Sequence, residues 1–252
     1  MNYVIVTGSS KGLGEAIASL LLDQENTTII CIARSTNKNL EEKAILAKTP
    51  YFFYPFDLAN LTEIQPLVEQ LFTNIMLDHA NHVHLINNAG ILDPIKPIDR
   101  SGPEEIIKNI DINLVAPMIL TSEFLKRTKD FNGEKRIINI SSGAGKRPIF
   151  GWSCYGTSKA GLDLFSQTTA IEQEEVEYPV KVCSFGPGIM DTNMQEQIRT
   201  TSKQDFIQVD TFQRYKKEDQ LLPPSKVANM VVDLLYREDF PNGETVSVSQ
   251  YL

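Results

Sequence analysis

Hydrophobic positions follow two alternating patterns along this chain. Short apolar runs rich in β-branched residues, such as 137–140, are typical of strands buried on both faces of a parallel sheet. Between these runs, apolar residues recur every three or four positions, as Ile17, Leu20 and Leu21 do, which predicts amphipathic helices. Because strand and helix alternate, we expect an α/β fold with a parallel sheet. Strands are predicted at 4–6, 27–32, 51–54, 84–86, 137–140, 180–185 and 245–248, and helices at 15–24, 37–48, 61–79, 104–129, 158–173 and 225–237.

Residues 191–222 follow neither pattern. They are mostly polar, and their scattered apolar residues have no single period. Because they come after a predicted strand end, we expect them to cover the C-terminal edge of the sheet as a substrate lid. No internal repeat, low-complexity run or linker interrupts the chain. We therefore predict one domain over residues 1–252.

Composition and charge argue against several classes of protein. The 252 residues carry a formal net charge of −8 and no run of more than two basic residues, so we expect no nucleic-acid partner. No apolar run approaches the roughly 20 residues needed to cross a membrane, and the first residues predict a strand rather than a signal sequence. Cys31, Cys154 and Cys183 form no CxxC pair, which indicates reduced thiols. We expect a cytoplasmic protein.

A glycine-rich turn joins the first predicted strand to the first predicted helix. Gly8 permits a tight turn, and Gly12 and Gly14 let the backbone and helix approach a phosphate group. The free N–H groups of the helix N-terminus favour an anion there. A tight loop that binds nothing is the alternative. Since a strand and a helix flank the glycines, the pattern predicts a dinucleotide phosphate site.

The end of the second predicted strand bears on the choice of cofactor. Sites that prefer NAD usually carry an acidic residue about 20 residues beyond the glycines, which binds the ribose 2′-hydroxyl. This chain has Arg34 there, followed by Ser35, and Lys11 lies in the glycine turn. A guanidinium and an ammonium would bind a 2′-phosphate. The pattern favours NADP(H), and the alternative is that both cations are merely solvated.

The ends of the third and fourth predicted strands add further candidate contacts. Asp57 can accept a hydrogen bond from an adenine amine. Side-chain amides such as that of Asn88 can bridge neighbouring strands, and Ala89 and Gly90 leave room for a flat ring. These positions predict that a cofactor extends along the C-terminal edge of the sheet.

Ser142, Tyr155 and Lys159 form a candidate proton-transfer set. Ser142 follows the predicted strand 137–140, at the edge where open α/β sheets bind ligands. Tyr155 and Lys159 are four residues apart, so a helix would place them on one face. A free tyrosine has a pKa of about 10, and we expect the Lys159 ammonium to lower it into the working range. The alternative is a Tyr and a Lys that merely share a helix face.

Asn113 is a polar residue whose place in an apolar stretch can be explained by a helix kink. Asn113 lies among apolar neighbours in the predicted helix 104–129, where Pro117 predicts a kink. A buried amide needs a partner, and a backbone carbonyl at the kink would provide one.

His82 and His84 can share a strand face, but no acid or cysteine follows at ligand spacing, so we predict no metal site.

These motifs together resemble those of the short-chain dehydrogenase/reductase family, across essentially the whole chain. The resemblance implies a single doubly wound Rossmann-type domain with seven strands in the order 3-2-1-4-5-6-7 and helices on both faces. Within the family, 186–195 resembles the sepiapterin reductase-like branch, and 85–92 resembles bacterial members that reduce benzil to (S)-benzoin. The motifs are Thr7-Gly8-x-x-x-Gly12-x-Gly14, Asn87-Asn88-Ala89-Gly90, Asn113, Ser142, Tyr155-x-x-x-Lys159 and Pro187-Gly188-x-x-x-Thr192.

The resemblance also implies roles for individual residues. Tyr155 would donate a proton to a carbonyl oxygen as hydride arrives from the nicotinamide, and Ser142 would hydrogen-bond the same oxygen. Lys159 would hold the nicotinamide ribose, and Asn113 would hold a water on a proton relay behind it. The full set expected to bind NADP(H) is Gly8, Ser10, Lys11, Gly12, Leu13, Gly14, Arg34, Ser35, Asp57, Leu58, Asn88, Ala89, Gly90, Tyr155, Lys159, Pro187, Gly188, Ile189 and Thr192.

Apolar residues around the expected site predict the substrate class. Such a surface suits a bulky hydrophobic or aryl ketone better than a charged sugar. We predict NADPH-dependent hydride transfer to one carbonyl of a hydrophobic or aromatic α-diketone such as benzil. The alternatives are a sepiapterin-type or general ketone reductase and a non-catalytic NADP(H)-sensing protein. The resemblance implies a homo-oligomer, either dimer or tetramer. The expected substrate contacts are Ser142, Phe150, Trp152, Tyr155, Met190 and Met194.

Overall fold

The computed structural model describes residues 1–251. Seven parallel strands form one sheet in the order β3-β2-β1-β4-β5-β6-β7, which confirms the predicted doubly wound topology. The strands are β1 (Asn2–Thr7), β2 (Thr27–Ala33), β3 (Tyr51–Pro55), β4 (His82–Asn87), β5 (Glu134–Ile140), β6 (Lys181–Gly186) and β7 (Thr245–Ser247). The α-helices are α1 (Gly12–Leu21), α2 (Lys38–Ala47), α3 (Ile64–Phe72), α4 (Pro103–Ile110), α5 (Ala116–Arg127), α6 (Ser153–Gln173), α7 (Asn193–Thr200), α8 (Val209–Lys217) and α9 (Pro224–Tyr236).

Helices cover both faces of the sheet, and the side chains of β1 illustrate why its sequence is apolar throughout. Val6 packs into a core with Ile17 of α1 and residues of α9. Ile5, next in sequence, points to the opposite face and packs with residues of α3 and α5. Successive strand residues alternate between faces, so a strand covered on both sides is apolar at every position.

Two predicted helices are shorter or less regular than their patterns indicate. The helix predicted at 61–79 ends at Phe72, where Thr73 and Asn74 donate to carbonyls only three residues back. The predicted helix 104–129 is divided into α4 and α5 by a π-helical turn, Asp111–Val115. Pro117 has no N–H to donate to the carbonyl of Asn113, so a regular α-helix cannot continue there.

Residues 191–222 form α7 and α8 above the C-terminal edge of the sheet. An isolated bridge between Met190 and Leu222 closes the base of this segment. Phe206 and Phe212 pack against Trp152, in an apolar cluster separate from the two cores that flank the sheet. The segment is therefore fixed at both ends and in its middle. No helix within residues 1–251 is long and apolar enough to span a membrane.

Candidate active site

A crevice opens along the C-terminal ends of β1, β2, β4 and β5. The expected contacts Gly14, Ser35, Asn113, Ser142, Phe150, Trp152, Gly188 and Ile189 lie outside its lining. The expected contacts that do line the crevice are Gly8, Ser10, Lys11, Gly12, Leu13, Arg34, Asp57, Leu58, Asn88, Ala89, Gly90, Tyr155, Lys159, Pro187, Met190, Thr192 and Met194.

The glycine turn depends on the missing side chains. Gly8 and Gly12 have φ of 68° and 63°, a region that favours glycine. Gly14 lies outside the lining of the crevice. It has no room for a side chain, since a Cβ there would lie 2.3 Å from the Gly8 carbonyl oxygen and 2.4 Å from Asn88 Nδ2. The Asn88 amide donates to the carbonyls of Thr7 and Gly8 at 2.9 and 3.2 Å, joining the end of β4 to the turn. A backbone cradle free of side chains suits a phosphate group.

Two cations lie at one end of the crevice. Arg34 follows β2 directly and is exposed, while Lys11 precedes α1. Neither forms an ion pair with another of the residues 1–251. Asn37 steadies this end, since its side chain donates to the Ser10 carbonyl at 3.0 Å and accepts from Leu40 N–H. Sequence reasoning missed Asn37, although its position before a polar helix is typical of an N-cap.

Tyr155 and Lys159 lie on the first turns of α6 and face the crevice together. Lys159 Nζ is 5.9 Å from the centre of the Tyr155 ring. It also donates to the Ile140 carbonyl at 2.9 Å, which fixes the ammonium at the end of β5. Both side chains are buried. The helix spacing therefore brings the phenol and the ammonium to one point, as predicted.

The pKa of Tyr155 departs from the expectation. Burial of the phenol raises its pKa, opposed in part by the Ser142 hydroxyl. The predicted lowering by Lys159 is wrong for this state, because desolvation of the phenolate dominates. Burial also lowers the pKa of Lys159 to about 8, against the opposing charge of Asp163. The phenol is held in its protonated form, which is the form that a proton donor requires.

Ser142 is oriented by the short turn that follows β5. Its Oγ accepts a hydrogen bond from the Ala144 N–H at 3.2 Å and caps the single 3₁₀ turn Gly143–Gly145. An oxygen that accepts from the backbone still has its own proton to donate. Ser142 therefore has a proton to donate, and its hydroxyl is close enough to Tyr155 to affect the pKa of the phenol.

Asn113 has the structural role that its buried position indicates. Its Oδ1 accepts from the Ile91 N–H at 2.9 Å, and its Nδ2 donates to the Ile91 carbonyl at 2.8 Å. The same amide donates to Asn109 Oδ1 at 3.1 Å. These bonds fix the chain just after β4, next to Gly90, whose Cβ position lies 3.6 Å from Lys159 Nζ. The side chain is thus engaged with backbone, while Pro117 leaves the Asn113 carbonyl without the donor of a regular helix.

A buried polar chain supports the site from below. Asn87 Nδ2 donates to Asn139 Oδ1 at 2.8 Å, and Asn139 Nδ2 donates to Ser166 Oγ at 2.8 Å. Ser184 Oγ donates to the same Ser166 hydroxyl at 2.9 Å. The chain links β4, β5, β6 and α6, so it fixes the strand ends relative to the helix that carries Tyr155. The strand-bridging amides were predicted, but their serine partners were not.

Trp152 and Phe150 were expected to contact the substrate, but both lie outside the lining of the crevice. Trp152 is buried, stacks on Phe206 with ring centres 5.1 Å apart, and meets the Tyr155 ring edge-on at 5.6 Å. Phe150 is 44% exposed and lies outside the crevice. The Trp152 indole is covered by α8 and the loop before it. Met190 and Met194 do line the crevice.

The loop after β6 crosses the crevice close to the glycine turn. Gly188 has φ of 73°, and a Cβ there would lie 2.7 Å from Val248 Cγ1, so this glycine turns the loop rather than lining the crevice. Thr192 caps α7 and accepts from the Gln195 N–H at 3.5 Å. Its Cγ2 is 3.7 Å from the Cβ position of Gly12, so the two loops meet here.

Asp163 is a site residue that sequence reasoning missed. It lies one helical turn beyond Lys159 on α6 and is buried. Burial raises the pKa of its carboxyl group, opposed in part by the charges of Lys146 and Lys159. The spacing of four residues from Lys159 is the signal that would have revealed it. Its carboxylate favours the charged form of the Lys159 ammonium.

The fold and this crevice are those of a nicotinamide-dependent oxidoreductase, and comparison with known proteins agrees. A family model described as short chain dehydrogenase matches residues 2–203, so the chain belongs to the short-chain dehydrogenase family. Members of this family bind a nicotinamide cofactor, and the side-chain-free turn and elongated crevice fit one.

Among the relatives is benzil reductase ((S)-benzoin forming) from Bacillus cereus, 48% identical over 99% of this chain and 100% of the relative. Sepiapterin reductase from Bos taurus is 30% identical over 95% of this chain and 91% of the relative. A crystal structure of a short chain dehydrogenases/reductase from Saccharomyces cerevisiae aligns with a TM-score of 0.84 at 28% identity. It covers 98% of this chain and 96% of that chain. These similarities confirm an oxidoreductase related to both benzil and sepiapterin reductases.

Proposed function

We propose that the protein is an NADPH-dependent reductase of hydrophobic or aromatic α-diketones, reducing one carbonyl of benzil to give (S)-benzoin. The observation that carries this proposal is the buried phenol of Tyr155, whose pKa is raised, beside Lys159 in the crevice that the glycine turn also lines. The 48% identity to a benzil reductase over the whole chain favours the diketone over other ketones.

NADP(H) is the proposed cofactor because of the two cations beside the glycine turn. Arg34 and Lys11 line the same end of the crevice and have no ion-pair partners among residues 1–251. A 2′-phosphate would gain two charge-assisted contacts there. A ribose hydroxyl would leave both cations merely solvated.

The proposed mechanism assigns separate tasks to three residues. A nicotinamide held beside Pro187, Thr192 and Lys159 would supply the hydride that the carbonyl carbon receives. Tyr155 donates its proton to the carbonyl oxygen, and Ser142 donates a hydrogen bond to the same oxygen. Negative charge that develops on this oxygen is stabilised by both hydroxyl groups. The Lys159 ammonium stabilises the phenolate that Tyr155 becomes.

Asn113 is proposed to take part in returning a proton to Tyr155. Its side chain is committed to Ile91 and Asn109, so the group available for this task is its backbone carbonyl. Because Pro117 cannot donate to that carbonyl, we propose that a water binds there, close to Gly90 and hence to Lys159. Such a water would link the ammonium to a proton relay.

The substrate class rests on the apolar part of the crevice. Ile91, Met190 and Met194 line it, and Met194 packs against the apolar cluster that contains Tyr155. Methionine side chains adapt to flat, bulky groups. An aryl diketone would bury its rings against these side chains. A sepiapterin-type or general ketone reductase remains the second candidate, supported by the relative from Bos taurus. Residues 191–222 are proposed to act as the substrate lid.

A steady-state assay of cofactor oxidation tests the proposal. Benzil, sepiapterin and an acetoacetyl thioester are compared, each with NADPH and with NADH, and the benzil product is resolved on a chiral column. We expect the highest kcat/KM with benzil and NADPH, and (S)-benzoin as the main product. A thioester preferred over benzil by orders of magnitude would overturn the substrate assignment. Cofactor binding without turnover of any carbonyl would favour the sensing protein.

A homo-oligomer in the cytoplasm is also proposed. Large apolar side chains are exposed on three consecutive helices, α4, α5 and α6: Ile107, Met118, Leu164 and Ile171. An apolar surface of this kind commonly mediates contact between protein chains.

The proposed cytoplasmic location is supported by the cysteines. All three are free and buried, as expected in a reducing compartment.

A further inference from the structure

A second cluster of polar side chains lies at the N-terminal edge of the sheet, opposite the crevice. His82 and His84 are two residues apart on β4, so both rings lie on the same face. Glu134 begins β5 and pairs directly with His82 in the sheet. Sequence reasoning rejected a metal site because no acid followed the histidines, but the acid comes from the neighbouring strand. Such a cross-strand pairing has no signal in the spacing of the residues.

The three side chains present their ligand atoms to one another. Glu134 Oε1 lies 3.3 Å from His82 Nδ1 and 3.9 Å from His84 Nε2. All three ligand atoms lie within 4.8 Å of one another. The two imidazole planes are inclined by 23°, and a shared cation must lie close to both planes. Three atoms bound to one cation at the usual 2.0–2.2 Å would have separations of roughly 3–3.5 Å. The Glu134–His82 separation already fits, and the His84 ring must turn toward the other two side chains.

His84 provides the independent sign of a missing partner. Its side chain is completely buried, and neither ring nitrogen has a hydrogen-bond partner among residues 1–251. A buried polar group that lacks a partner destabilises the fold, and a cation bound at Nε2 would supply the partner that His84 lacks.

Glu134 is held in place by its other oxygen. Arg136 donates from Nη2 to Glu134 Oε2 at 2.6 Å and from Nη1 to the carbonyls of Leu235 and Arg237 at 2.8 and 2.7 Å. A carboxylate fixed in this way presents Oε1 to the histidines, in the manner of the outer partners that orient metal ligands. Since Arg136 offsets the carboxylate charge, we expect weaker binding than at a thiolate site.

We propose that His82, His84 and Glu134 bind a divalent cation of the zinc class. Two imidazole nitrogens and one carboxylate oxygen are ligands that suit Zn²⁺, and Co²⁺ binds the same donors. The site joins the first turns of β4 and β5, at the edge of the sheet opposite Tyr155. The cation therefore ties two central strands together and takes no part in carbonyl reduction.

Titration of tag-free full-length protein with Zn²⁺ tests the proposal, by calorimetry and by competition with a chromophoric chelator. We expect one Zn²⁺ per chain, with affinity reduced at least about tenfold in His82→Gln and in Glu134→Gln. Co²⁺ should give a visible absorption band in the wild-type protein that both variants lose. His84 is left intact because it is completely buried.

The third histidine of the chain provides the matched control. His79 is exposed and lies outside the cluster, so His79→Gln should leave the zinc affinity and the cobalt spectrum unchanged. Absence of stoichiometric zinc binding in the wild-type protein would overturn the proposal. Undiminished binding in both His82→Gln and Glu134→Gln would overturn it equally.

Discussion

At the scale of single residues, burial acts on Tyr155 and Lys159 in opposite directions. It raises the pKa of the phenol and lowers that of the ammonium, so it favours the neutral form of both. A site that needs Lys159 charged must oppose this effect. Asp163, buried one turn away on α6, supplies the opposing charge. The Asp163 carboxylate thus favours the protonated form of Lys159.

Replacing Asp163 by Asn should therefore shift the pH dependence of ketone reduction. The ammonium of Lys159 is the working form, so activity falls as pH rises through its pKa of about 8. Removing the Asp163 charge lowers that pKa, and the alkaline decline of kcat/KM should move to lower pH. Glu172→Gln, on an exposed position of the same helix, should leave the profile unchanged. A decline that stays in place or moves to higher pH in Asp163→Asn would contradict this role.

The cofactor preference is also decided by single residues. Arg34→Asp replaces a guanidinium that would bind the 2′-phosphate with a carboxylate that would repel it. We expect the Kd for NADPH to rise by about 10- to 100-fold, the equivalent of losing one charge-assisted hydrogen bond. The Kd for NADH should change little. Fluorescence titration of both cofactors measures these constants.

A charge-matched variant separates this effect from a general change in net charge. Lys129→Asp alters the charge by the same amount at a side chain that is 73% exposed and lies before β5. It should leave both dissociation constants unchanged. An Arg34→Asp variant that still prefers NADPH would mean that the 2′-phosphate binds elsewhere.

Single-residue predictions succeeded where spacing along one helix sufficed and failed where the partner came from another strand. Tyr155 and Lys159 share a helix face by their spacing alone. Burial then reversed the expected pKa shift of Tyr155, because the depth of a side chain cannot be read from its neighbours in sequence. Glu134 approaches His82 only through the pairing of β4 with β5.

At the scale of elements, the glycine turn controls how closely α1, β1 and β4 approach one another. Gly14→Ala would place a methyl group 2.3 Å from the Gly8 carbonyl oxygen and 2.4 Å from Asn88 Nδ2. Neither neighbour can move without breaking the contacts that join β4 to the turn. We expect a loss of about 1–3 kcal/mol in the free energy of unfolding, as for other overpacked sites. Urea denaturation of the cofactor-free protein measures it.

Gly143→Ala is the matched control for this experiment. No heavy atom of residues 1–251 outside its chain neighbours lies within 4 Å of the Cβ position of Gly143, so the added methyl group has space. Its free energy of unfolding should stay within about 0.5 kcal/mol of the wild-type value. Equal stability of the two variants would show that Gly14 is not required by packing.

Strands were easier to predict than helices in this chain. The central strands β1, β2, β4, β5 and β6 are buried on both faces, so an apolar run marks each of them, whereas β3 is partly exposed. All seven strands were predicted within a few residues of their observed bounds. The ends of α3 and the π-helical turn before α5 depend on which carbonyl each N–H can reach. The helices α7 and α8 bury only a few apolar residues, against Trp152 and its neighbours. That burial is set by tertiary contacts, so no period marks it in the sequence.

At the scale of the whole molecule, one edge of the sheet carries the whole proposed reaction. The glycine turn, the cations Lys11 and Arg34, Tyr155 and Lys159 all line one crevice. The strand order that creates this edge was predicted from the family resemblance and is confirmed. The central claim is that this edge binds NADPH and protonates a ketone as two separable tasks.

Single-turnover oxidation of bound NADPH by benzil, in the wild-type protein and in Tyr155→Phe, tests that claim most directly. Tyr178→Phe, a variant of the same chemistry away from the crevice, is the control. Tyr155→Phe should slow the reaction by about 10²- to 10⁴-fold, the usual contribution of a general acid. Its Kd for NADPH should rise less than about fivefold, the loss expected from one hydrogen bond. A near-normal single-turnover rate in Tyr155→Phe would contradict the account.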